Sequence, residues 1–272
     1  MFTDKKKWIS KALLFISAGM FLFAAGNLIS IYLDYKKGAD TYDELQKYVQ
    51  EKDVAEVQEP ERKPETEAEM EETEGDWLQI DFAGLQAQNP DTAGWIVIPA
   101  LEVSYPVVQE EDNDYYLHHM FDGQEHKNGS IFIDCHNQPG FTDQNTIIYG
   151  HNMKDGSMFG TLDRYQEERM YQEYPCFYIY VPGYVLVYRI FSCYIGRSRE
   201  SAYTYYFPEK EDFKEFLRKI QSYGAYETGV EAKETDKIVT LSTCVNTDLN
   251  YRYLVHGKLE EKIVMKEALE NG

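Results

Sequence analysis

Ile238-Val239-Thr240-Leu241-Ser242-Thr243-Cys244 is an apolar, β-branched run that ends in a cysteine. Such a run reads as a buried strand, and the cysteine at its end is held at the edge of a sheet. A polar connection through Asn246, Thr247, Asp248 and Asn250 leads into a second run, Tyr251 to Leu259. That run carries Arg252 near its start, so the arginine can return beside the cysteine on the neighbouring strand.

Upstream, the same pattern recurs. Asn145 to Tyr149 is a strand that runs out at Gly150 and His151. Trp95 to Ile98, Val103 to Val108 and Gly129 to Asp134 add further strands, and Phe177 to Val181 turns at Pro182-Gly183 into Tyr184 to Ile195, a hairpin. Asp212 to Tyr223 places Phe213, Phe216, Leu217 and Ile220 on one face and reads as an amphipathic helix. Trp77 to Gln88 reads as a shorter helix, ended by Pro90 and Gly94. About eight short strands with few helices indicate a mainly β fold, a barrel or a sandwich.

The amino-terminal part differs. Ala12 to Leu33 is 22 residues without a charge, long enough to span a bilayer as a helix. Lys5, Lys6, Lys7 and Lys11 precede it, which places the amino terminus in the cytoplasm and the rest of the chain outside. The run is longer than the h-region of a cleaved signal peptide and no clear small-x-small site follows it, so it is read as an anchor. Residues 34–50 look helical. Glu51 to Glu74 holds eleven acidic residues against Lys52, Arg62 and Lys63, with Pro60 and Pro64, and reads as a solvated stalk. The expected organisation is a cytoplasmic terminus at 1–11, a span at 12–33, a juxtamembrane helix and stalk at 34–76, and a folded domain at 77–272. A net charge of -20 argues against a nucleic-acid partner, since phosphate would be repelled.

Cys135, Cys176, Cys193 and Cys244 include no CxxC pair, which argues against a zinc knuckle. An even count permits disulfides and does not require them. Cys193 and Cys176 read as core or structural residues, and Cys135 at a strand end stays open. Adjacent His118 and His119 read as a solvated turn, because neighbours on an extended segment point opposite ways. Cys244, His151 and Arg252 stand apart: a nucleophile, an acid/base and a fixed cation, the set that acyl transfer needs.

The Thr240-Leu241-Ser242-Thr243-Cys244 run with Arg252, and Tyr149-Gly150-His151, resemble the active-site motifs of sortases. The blocks Asp112 to Leu117, Gly129 to Asp134, Asn145 to Asn152 and Ser157-Met158-Phe159 resemble the class B group. The resemblance spans about residues 77–262. It implies an eight-stranded sortase-type β-barrel with added helices and a cysteine transpeptidase needing no cofactor and no metal. In this picture Cys244 attacks a sorting-signal peptide after Thr, His151 transfers protons and Arg252 holds the oxyanion. Asn113, Leu117, Tyr149, Ser242, Tyr203 and Thr204 would contact substrate. The implied partners are surface proteins bearing sorting signals and a peptidoglycan precursor or other amine acceptor. Some class B members carry an acid two places after the cysteine, where this chain has Asn246. A pilin-polymerising sortase shares the same chemistry, although no Asp-Pro-Trp/Phe lid motif precedes the barrel. A tethered binding module with an inert Cys244 is the non-catalytic alternative.

Overall fold

The computed structural model describes residues 2–50, 77–198, 201–245 and 248–265, in two compact units that divide between Glu44 and Leu45. The first unit is the helix α1 (Phe2–Leu45) without its last residue, and it carries the uncharged run 12–33. Phe15, Phe21, Phe23, Leu28 and Ile29 are all exposed, and they point to different sides of the helix. A helix that is apolar all round and unburied suits hydrocarbon as its solvent, and α1 is long and apolar enough to cross a membrane.

Among the described residues the second unit is built on ten strands: β1 (Val49–Gln50), β2 (Gln79–Ile80), β3 (Thr92–Ile98), β4 (Val103–Val108), β5 (Ile131–Ile133), β6 (Asn145–Tyr149), β7 (Cys176–Val181), β8 (Tyr184–Arg197), β9 (Ile238–Val245) and β10 (Asp248–Val264). Eight of them close a barrel in the order β10-β8-β7-β3-β4-β5-β6-β9. This is the expected mainly β barrel, and it is not a sandwich. The pairs β4–β5 and β6–β9 are parallel, while the other barrel pairs are antiparallel. β1 and β2 form a separate antiparallel pair, so the chain on both sides of residues 51–76 belongs to this unit. The acidic stalk expected at 51–74 lies outside the described residues.

Among the described residues four α-helices complete the unit: α2 (Phe82–Gln88), α3 (Tyr115–His118), α4 (Glu168–Glu173) and α5 (Lys210–Ser222). The helix expected from Trp77 starts later, because Asp81 caps it by accepting from Gly84 N at 2.8 Å and the residues before are drawn into the β1–β2 pair. His118 is the last residue of α3, and His119 caps it with extended backbone that bridges Glu125, so the two do not share one extended segment. The strand expected over 129–134 is confined to Ile131–Ile133. Gly129 has φ 53° and Ser130 N bonds Tyr116 O, so neither continues the ladder.

Trp95, Ile96, Val107, Ile131, Ile147, Val239 and Leu241 are fully buried in the barrel. A second cluster joins α5 to the wall, with Phe213, Phe216, Leu217 and Ile220 of the helix packed with Phe191, Tyr194, Ile238 and Leu254. The helix starts at a capping box between Glu209 and Asp212. All four cysteines are free thiols.

His256, on β10, is completely buried, and burial without a counter-ion pushes its pKa down from 6.5 to about 3. The unfolded chain therefore takes up a proton there near pH 6.5 that the folded chain refuses until about pH 3, so acid favours unfolding. This contribution to stability is whole above about pH 6.5 and declines as the pH falls to 3. We expect Tm measured from pH 7 to pH 4 to fall less steeply in His256→Phe, which keeps an aromatic ring without a titrating nitrogen. Parallel acid limbs in the two proteins would show that His256 is not the source.

Candidate active site

β9 lies between β10 and β6, and that placement assembles the site. On one side Cys244 faces Arg252 in register, one antiparallel rung beyond Thr243 and Tyr253. On the other side the parallel ladder pairs Ile147 with Thr240, Ile148 with Leu241 and Tyr149 with Ser242. Gly150 N then donates to Ser242 O at 3.2 Å. Continuing that parallel ladder by two residues brings His151 to the level of Cys244. Asn152 secures the arrangement: its Nδ2 donates to the Cys244 carbonyl at 2.6 Å.

The histidine is held from the far side as well. His151 Nε2 lies 2.7 Å from Leu117 O, on α3. A carbonyl can only accept, so Nε2 carries the proton and Nδ1 is the nitrogen free to exchange one. Two glycines make the close approach possible. A Cβ at Gly129 would sit 2.6 Å from Tyr116 O and 2.8 Å from Leu117 O, with His151 Cδ2 at 3.1 Å. A Cβ at Gly150 would meet the Phe159 ring at 2.6 Å. Arg252 is half-buried, and its Nη1 donates to Tyr251 O at 2.9 Å.

A cleft of about 350 Å³ opens over these groups, and Cys244, His151 and Arg252 all line it. Asn113, Leu117, Tyr149, Ser242 and Tyr203 line it too, as expected. Thr204 does not; its backbone carbonyl is instead bonded by Asn145 Nδ2 at 2.9 Å. Phe132, Gly150, Ser198 and Thr243 complete the lining.

One wall of the cleft rests on a carboxylate. Asp134 Oδ2 accepts from Tyr149 OH at 2.7 Å and Asn113 Nδ2 at 3.1 Å, while Oδ1 accepts from His136 N at 2.9 Å and His136 Nδ1 at 2.8 Å. Burial by itself would raise the Asp134 pKa, but the bonds from His136 and Tyr149 outweigh it and hold the group below the ordinary carboxylate range. Burial and the Asp134 charge push the Tyr149 phenol up, keeping it neutral and donating. Across the cleft Tyr203 OH lies 2.9 Å from Ser242 Oγ, and its ring stacks on Tyr149 at 6.1 Å between centroids. Asp134, Cys135 and His136 also bring three ligand-type atoms within 4.8 Å of one another. Asp134 Oδ2 holds the cleft residues Tyr149 and Asn113 while Oδ1 holds His136, so the carboxylate acts as a strut between the cleft wall and the 134–136 turn.

Asp134 and Asn152 were not among the expected site residues. A signal existed for each: Asp134 ends the Ile131-Phe132-Ile133 run, and Asn152 follows His151 directly. Asn246 lies outside the described residues.

The family profile described as Sortase domain matches residues 96–260. The chain is 36% identical over 266 residues to Sortase B of Listeria monocytogenes, covering 94% of this chain and 99% of that protein. Sortase B of Bacillus anthracis, solved in complex with AAEK1, superposes with a TM-score of 0.68 at 30% identity over 84% of this chain and 98% of that one. Staphylococcus aureus sortase B, solved as a substrate complex, gives a TM-score of 0.62 at 29% identity over 66% and 84%. The chain belongs to the sortase family, on its class B branch, and is a cysteine transpeptidase of the kind that attaches proteins to the cell wall.

Gly129→Ala tests the packing under His151. The added methyl displaces Leu117 O or the imidazole, and a shift approaching 1 Å at a reacting group costs on the order of a hundredfold in rate. We expect peptide turnover to fall at least about tenfold with the fold retained, as read by kinetics beside circular dichroism. Unchanged turnover would mean that this contact does not position the histidine.

Proposed function

We propose that this sortase is anchored in the cell membrane by a single span at 12–33, with residues 1–11 in the cytoplasm. The juxtamembrane helix then leads into an extracellular catalytic domain that takes in Leu45–Gln50 as well as 77–272, because β1 pairs with β2, and the acidic run 51–74 lies between those two strands in the chain instead of before the domain. The lysines before the span support that orientation. Within the domain, Cys244 is the nucleophile, His151 the acid/base and Arg252 the oxyanion holder. The observation that carries this reading is that three residues from two distant stretches line one cleft, with Cys244 and Arg252 on the same rung. The likeness to a sortase B solved with a substrate supports a peptide occupant.

The proposed substrate is a sorting signal cleaved after Thr. The Cys244 thiolate attacks the Thr carbonyl carbon; a C–S bond forms and the carbonyl oxygen gains the electron pair. Arg252 offers a planar, permanently charged donor to that oxygen. Collapse breaks the C–N bond, and the departing amine takes a proton from His151 Nδ1, since Nε2–H is committed to Leu117 O. An acceptor amine, from a peptidoglycan precursor in this reading, then attacks the thioester and passes its proton to Nδ1. The new amide bond forms as the C–S bond breaks and the thiolate returns. Asn113, Leu117, Tyr149, Ser242 and Tyr203 would hold the peptide.

The test is the full chain in detergent with quenched peptides of the form x-Pro-x-Thr-Gly/Asn, with and without an amine acceptor. We expect cleavage after Thr and a Thr-linked product with the amine. Cys244→Ala should give no detectable product. Arg252→Lys should lose at least about tenfold in kcat/KM, because one ammonium cannot reproduce the guanidinium fork. Near-normal turnover by either variant would overturn the assignment.

A further inference from the structure

The wall of the cleft that carries Tyr203 is a short turn, Ser201–Tyr203 followed by Thr204. It is tied into the barrel through one side chain. Asn145 Nδ2 donates to Ala202 O at 3.2 Å and to Thr204 O at 2.9 Å. Both amide hydrogens are thereby used, so Oδ1 must face the other way, and there it accepts from Thr240 Oγ1 at 2.7 Å. A hydroxyl has one proton, and Thr240 directs it to Asn145. The 2.9 Å contact between Thr240 Oγ1 and His256 Nδ1 must then run from Nδ1–H to the threonine oxygen. His256 is therefore the Nδ1–H tautomer, with Nε2 a buried lone pair lacking a hydrogen-bond partner. Asn145, Thr240 and His256 are all 0% exposed.

Every bond in this chain points the same way, from His256 to Thr240 to Asn145 to the turn. A buried polar set that merely satisfied itself would close within the sheet; this one leaves the sheet and ends on two carbonyls of the cleft wall. Burial keeps the imidazole neutral far below its ordinary range, so the donor at the head of the chain is not reversed by moderate acid.

We propose that His256, Thr240 and Asn145 form a one-way hydrogen-bond relay that positions the 201–204 turn and thereby sets how tightly the sorting peptide is held. The inference rests on the reading of Tyr203 as a substrate contact. The three are positioning residues: none of them lines the cleft.

Thr240→Val removes the hydroxyl at nearly constant shape, and Thr240→Ser restores it. With the full chain in detergent and a cleavable quenched peptide, we expect Thr240→Val to raise KM by about tenfold while leaving kcat within about twofold, the pattern of lost ground-state binding. Alkylation of Cys244 by iodoacetamide should keep its wild-type rate, and Thr240→Ser should behave as wild type. In a Tyr203→Ala background Thr240→Val should add little, because both changes act on the same wall. An equal penalty in that background, an unchanged KM, or a Thr240→Ser variant as impaired as Thr240→Val would each overturn the relay. Two readouts need no turnover. Selective ¹⁵N-histidine NMR should show His256 as the Nδ1–H tautomer, and Thr240→Val should speed hydrogen exchange at the Thr204 amide, which bonds Ser201 O at 3.0 Å. If the wild-type chain cleaves no peptide while that exchange effect persists, the peptide reading fails and the relay stands; an unaltered exchange rate sinks the relay itself.

Discussion

Parallel pairing between β6 and β9 is the constraint on which the site depends. In a parallel ladder both strands run out at the same end of the sheet. Tyr149 lies level with Ser242, so the residues two places on, His151 just past β6 and Cys244 near the end of β9, reach the same rim of the barrel. Antiparallel pairing would have sent His151 to the opposite end of the barrel from the thiol. The antiparallel partner β10 then needs only to place Arg252 on the Cys244 rung. One central strand with one neighbour of each kind brings three chemically matched groups to one rim.

Much of this was legible in the chain. Strand ends marked by Tyr149-Gly150-His151 and Ser242-Thr243-Cys244 could be read because a run of buried β residues stops abruptly at a polar group. The amphipathic face of α5 and the Pro182-Gly183 hairpin were equally plain, being local. The barrel itself was not decided by strand count alone, since eight short strands also suit a sandwich. Choosing between them requires knowing which strands pair at long range, and the resemblance to sortases supplied that.

What stayed hidden was cooperative. Asp134 matters because Tyr149, Asn113 and His136 converge on it from different segments, and no local pattern announces convergence. Asn145 and Thr240 looked like ordinary polar residues in strands; their importance lies in the direction of their hydrogen bonds. Thr204, expected to meet substrate, is not among the residues lining the cleft, and its backbone carbonyl accepts from Asn145. Trp77 to Ile80 failed as a helix because Asp81, a strong cap, marks the true start and a distant segment at Val49–Gln50 claims the residues before it.

The order of the strands along the chain also bears on when the chemistry becomes available. β6 must wait for β9, some ninety residues downstream, before its parallel partner exists, and Arg252 follows later still. A growing or threading chain that has delivered everything up to α5 owns an imidazole, most of a cleft and no thiol at its centre. Contacts of such long sequence separation form slowly and late. On the roles proposed for Cys244, His151 and Arg252, competence therefore arrives in a single step, when the final hairpin docks, and a partly made molecule has no means of acyl transfer through Cys244.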